Sequence, residues 1–146
     1  MNKQEIISYN SSLGIETKFF SDPFGVHGYT ENSVIYLNEA YMSLDKVNKH
    51  EILHLYENTM AFKMVKESLL EMLSEKEKQE IHDDYQLRYA GLYSKEEIED
   101  GILDTEFAID IIIGNGEFAK EITDFADGMF ELITNSEKVP AITKDF

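Results

Sequence analysis

The five residues His50-Glu51-Ile52-Leu53-His54 constrain this chain more than any others. On an α-helix, positions four apart differ by about 40° in azimuth and about 6 Å in height. His50 and His54 then share a face and can hold one metal ion between two imidazole nitrogens. Glu51 stands beside them without filling a ligand position, close enough to accept a proton from water. The pattern therefore asks for a helix through 50–54, an open metal position, and a third ligand brought in from elsewhere in the chain.

The ligand types are limited by composition. None of the 146 residues is cysteine, so disulfides and thiolate sites are excluded, and a metal must be held by His, Asp or Glu. With 42% hydrophobic and 12% aromatic residues, the chain has enough apolar material for one domain with a genuine core. Residues 1–20 lack the basic-then-apolar pattern of a signal peptide, and no apolar run approaches the roughly 20 residues that span a bilayer. Together these features point to a soluble, cytoplasmic protein. Thirteen Lys and Arg stand against 29 Asp and Glu, a net charge of −16. That sign opposes nucleic-acid binding through a basic patch, and it opposes anionic membranes.

Along the chain, Glu5–Leu13 reads as a short helix stopped by Gly14. Ile15–Phe20, Val26–Thr30 and Ser33–Leu37 read as strands, with a turn at Ser21–Gly25. Ser43 is placed to cap the motif helix, which is expected from Leu44 to about Asn58 and buries Leu44, Val47, Ile52, Leu55 and Tyr56. Phe62, Val65, Leu69, Met72 and Leu73 recur at helical spacing. Ser74-Glu75-Lys76-Glu77 and Ser94-Lys95-Glu96-Glu97 fit capping boxes. The first opens a helix to about Ala90. The second opens one expected to run unbroken to about Ile113, stopped by Gly114-Asn115-Gly116. Phe118, Ile122, Phe125, Met129, Phe130 and Ile133 mark one last amphipathic helix. The expected fold is α+β: a small N-terminal antiparallel or mixed sheet of about three strands, then a mainly helical remainder. Residues 1–134 form a single domain in this reading, and 135–146 a loose tail.

One arrangement places a third His six residues after the second, with Gly at the intervening turn. Met60 and Glu57 occupy those positions, which leaves a Glu from a later helix. Glu106 is the candidate. Between Phe107 and Ile113 the only charge is Asp110, four residues on, so the two carboxylates share a helix face among apolar neighbours. Burying a carboxylate without a partner is costly, and a metal would supply one. Glu106 is then a metal ligand, and Asp110 the acceptor for the outer N–H of a ligand histidine. A solvated stripe, or a strand over Phe107–Ile113, are the plainer alternatives. Asp104 is expected to face elsewhere and Glu57 to point to solvent. His82 with Asp83 and Asp84 is a weaker second cluster.

H-E-I-L-H on a helix, the preceding strand ending in Val34-Ile35-Tyr36-Leu37-Asn38, and Glu106-x-Ala108-x-Asp110 on a later helix together resemble the compact gluzincins of the ImmA/IrrE family. The likeness spans roughly Ile15 to Ile113. It implies a zincin-like fold and a Zn²⁺-dependent metallopeptidase acting on an intracellular protein or peptide. In that reading His50, His54 and Glu106 bind zinc, and Glu51 is the catalytic general base. Tyr89, Tyr93 or His82 would assist at the oxyanion, and Ser33–Leu37 would be the sheet edge that pairs with substrate. The competing expectation is a catalytically inactive, acidic interaction protein that blocks a partner, in its sharpest form as a DNA-mimic decoy.

Overall fold

The computed structural model describes residues 1–136. Residues 137–146, which make up most of the expected tail, lie outside the described residues; Asn135 and Ser136 belong to the last helix. The architecture is α+β, a three-stranded mixed sheet near the N-terminus with helices after it. No helix of the described residues is long and apolar enough to cross a membrane. Two compact units divide the chain: Met1–Thr59 with the segment from Phe130, and Met60–Met129.

The first unit opens with α1 (Lys3–Ser12), capped by Asn2 in a reciprocal box with Glu5. Strands β1 (Glu16–Phe20), β2 (Gly28–Glu31) and β3 (Val34–Asn38) follow. Their order is β1-β3-β2, with β1 parallel and β2 antiparallel to β3. This corrects the expectation for Ser33–Leu37: β3 has partners on both sides, so its backbone groups are already committed and cannot receive a substrate strand. Ser33 itself is in the turn. Asn32 and Ser33 both have positive φ, the two-residue hairpin geometry that matches strand twist. Alternation along β3 buries Ile35 and Leu37 on one face. On the other face Tyr36 stacks on Tyr29, ring centres 4.7 Å apart.

Helix α2 (Leu44–Tyr56) packs on β2 and β3. The approach is close: a Cβ on Gly28 would lie 2.7 Å from Val47 Cγ1 and 3.0 Å from the Tyr36 carbonyl oxygen, so only glycine fits there. Ile52, Leu55 and Tyr56 are buried as expected, and Leu53 joins them; Leu44 and Val47 are half-buried. Ser43 does not cap this helix. Its backbone is left-handed (φ 39°, ψ 39°) and its side chain makes no cap bond, because the extended conformation that aims a hydroxyl back at the first amides is missing. What sets α2 in place is a buried polar pair. Asn10 of α1 and Asn48 of α2 exchange two side-chain amide hydrogen bonds of 2.8 and 2.9 Å, and Asn10 also donates to Thr17 Oγ1 of β1. Helix α8 (Met129–Ser136) brings Phe130 beneath the Lys49 ammonium, 5.1 Å from the ring centre.

The second unit comprises α3 (Met60–Glu71), α4 (Glu75–Arg88), α5 (Lys95–Glu99), α6 (Ile102–Ile113) and α7 (Lys120–Ala126). Both serine capping boxes form, on Ser74 with Glu77 and on Ser94 with Glu97. Two expected helices are interrupted. The one from Ser94 breaks at Asp100-Gly101, where Gly101 turns left-handed (φ 91°), and the last one breaks at Asp127-Gly128 (φ 83°). Gly114 ends α6 as expected (φ 74°). Helix α6 is the centre of this unit: every residue from Leu103 to Ile112 except Asp104 is buried, against α3, α4, α5 and α7. Such a helix is apolar nearly all round, which explains its isoleucine-rich, strand-like sequence.

Candidate metal centre

In the first unit, α2 puts His50, Glu51 and His54 in the arrangement that the sequence calls for. The two imidazoles converge, with Nε2 atoms 3.2 Å apart and ring centres 4.8 Å apart. With metal–nitrogen bonds of about 2.0–2.1 Å, two corners of a tetrahedron are separated by about 3.3–3.4 Å. The observed spacing fits that edge closely. Glu51, adjacent in sequence, is 8% exposed.

The outer nitrogen of His54 has its partner at the end of the same helix. Glu57 Oε2 lies 2.9 Å from His54 Nδ1. Glu57 was expected to point to solvent, from its 60° offset on the helix. Residues three apart on a helix surface nevertheless meet when the side chains are long enough, and the (i, i+3) spacing was the available signal. A carboxylate on Nδ1 holds the proton there and leaves Nε2, which faces His50, with its lone pair.

In the second unit, α6 is a helix and not a strand, and both of its carboxylates are buried rather than solvated: Glu106 is 1% exposed and Asp110 3%. Asp110 accepts from the Tyr85 hydroxyl and from Asn115 Nδ2 at 3.2 Å. Its oxygens serve the packing of α4 and of the loop after α6. The carboxylate on His54 Nδ1 is Glu57. Tyr89 stands one turn beyond Tyr85, and their rings stack with centres 6.0 Å apart. Burial, reinforced by the Glu106 carboxylate, pushes the Tyr89 hydroxyl well above its ordinary range, so Tyr89 stays protonated as a donor. Two tyrosines spaced i, i+4 thus face two acids spaced i, i+4. That matched spacing is visible in the sequence.

The other candidates are accounted for separately. Asp104 and His82 line a cavity of about 310 Å³ in the second unit. Asp83 accepts from Gln79 Nε2 at 2.9 Å, and Asp84 pairs with Arg88 at 2.9 Å. Tyr93 packs its ring against Tyr89. His27 stacks on Tyr41 with ring centres 3.8 Å apart.

No family model, curated protein or solved structure matches this chain.

Proposed function

We propose that this chain is a zinc-dependent metallopeptidase of the gluzincin type, hydrolysing a peptide bond in an intracellular protein. The observation that carries the reading is the 3.2 Å convergence of His50 and His54 Nε2 beside a buried Glu51. In this reading His50, His54 and Glu106 are the ligands, one donor atom from each. Two neutral imidazoles and one carboxylate leave an ion with a net positive charge and an open position, the donor set of hydrolytic zinc. When bound, zinc supplies Lewis-acid activation of water and polarises the scissile carbonyl.

The chain's own residues do the rest. Glu51 takes a proton from the attacking water and returns it to the leaving amine. Glu57 holds His54 in the tautomer whose Nε2 can donate its lone pair. Glu106 brings its carboxylate from a helix with nearly all its residues buried, where an anion is retained only with a partner.

The test is metal content and peptide cleavage measured on one preparation. The purified protein should carry about one equivalent of zinc, the capacity of a single three-ligand site. It should cut members of a mixed peptide pool read by mass spectrometry. Glu51→Gln should keep the zinc and the fold and lose cleavage, because an amide cannot accept the water's proton. A folded protein that takes up no zinc at neutral pH would discard the peptidase reading and leave the acidic interaction protein.

A further inference from the structure

The second unit contains a cavity of about 500 Å³ that the proposed peptidase chemistry does not use. Its floor is apolar and aromatic: Ile81, Tyr85, Phe107, Phe118 and Ile122. Its rim is charged, with Glu77, Asp84 and Glu117 against a single cation, Arg88. Cavities of about 300–1,000 Å³ with apolar walls and a few polar groups are the usual form of small-ligand sites.

The cavity is built rather than incidental. Asn115 is tied to Asp110 twice, side chain to side chain at 3.2 Å and amide to carbonyl at 2.8 Å, which fixes the loop after α6. Gly116 (φ 138°) then turns so close over Phe118 that a Cβ would lie 3.0 Å from the ring. Phe118 is thereby set edge-to-face against Phe107, ring centres 6.0 Å apart, and Phe107 edge-to-face against Tyr85 at 5.8 Å.

The charges say what kind of ligand such a cavity accepts. Arg88 already shows the chemistry: its guanidinium lies 4.8 Å from the centre of the Tyr85 ring while it pairs with Asp84 at 2.9 Å. A ring face and a carboxylate together attract a cation more strongly than either alone. With Arg88 and Asp84 neutralising each other, Glu77 and Glu117 leave the rim net negative. An anion would be repelled, and a neutral apolar molecule would forgo the rim. We infer that this cavity binds an amphipathic organic cation, an ammonium or guanidinium group on an apolar body, supplied either by a free amine or by the basic side chain of a peptide.

The full chain, with its isoleucine methyls labelled, tests this by NMR titration. The probes are phenethylammonium, 2-phenylethanol, 3-phenylpropionate and N-acetyl-Phe-Lys-amide. Phenethylammonium should shift the Ile81 and Ile122 methyls saturably, the alcohol should bind several-fold more weakly, and the carboxylate about tenfold more weakly or not at all. Glu77→Gln with Glu117→Gln should weaken the ammonium by about three- to tenfold while keeping the capping box, since glutamine also serves there. Ala119→Trp places a large ring at an exposed lining position and should abolish the shifts. Tighter binding of the dipeptide amide would assign the site to a peptide side chain, and tighter binding of the amine to a small molecule. Equal affinity for the ammonium and the carboxylate would overturn the inference. So would an absence of saturable shifts, or shifts that persist in a folded Ala119→Trp protein. If that variant fails to fold, the double glutamine variant decides alone.

Discussion

A histidine ring offers a metal one nitrogen and needs something to hold the other. For His54 that something is Glu57, at the C-terminal cap of the same helix. Glu57→Ala should therefore lower zinc affinity by about 10- to 100-fold, read by competition with a chelator, with little change in thermal stability. Asp110 makes the opposite prediction. Its partners are Tyr85 and Asn115, so Asp110→Ala strands a buried hydroxyl and should cost about 1–3 kcal/mol in urea unfolding. Repeating it in a Tyr85→Phe background should cost less, because the stranded donor is gone. An equal cost in both backgrounds would mean that the pair contributes nothing jointly.

Helix α4 begins at the Ser74–Glu77 box, and that box should be readable by pH. Bonding to the Ser74 amide and hydroxyl holds the Glu77 carboxyl below its ordinary value of 4.5. A depressed acid stabilises the fold fully above that ordinary value, and the contribution is lost as pH falls through the lower, folded-state value. Ser74→Ala should cost about 1 kcal/mol at neutral pH and make the acid side of the stability profile shallower without flattening it, since the residue-74 amide still bonds Glu77, measured by urea midpoints across pH. Caps of this kind were legible in the sequence because two residues three positions apart complete them. The breaks at Gly101 and Gly128 were not. A glycine within a helical run costs only about 1 kcal/mol, so whether the chain continues or turns is decided by distant packing. Gly101→Ala should nonetheless be destabilising: no atom crowds the added Cβ, yet its backbone stays left-handed.

At the scale of the whole molecule, a net charge of −16 works against compactness. Raising salt from about 20 mM to about 500 mM should therefore raise the unfolding temperature, as screening shortens the reach of that repulsion. A falling temperature would place the stabilising weight on ion pairs instead. The motif helix, the α+β class and the buried acids of α6 were legible because each is written in local spacing. The strand order β1-β3-β2 and the bond between Asn10 and Asn48 join residues far apart, and nothing in either neighbourhood announces them. That amide pair has a consequence for how the motif can change. Each residue along a helix advances its side chain by about 100°. Asn48 fixes the phase of α2, so inserting or deleting one residue between Asn48 and His50 would swing both imidazoles a quarter turn or more while the amides kept their grip. The His50–His54 motif and an asparagine 40 positions upstream are one indexed part, and neither can be transplanted into another scaffold without the other.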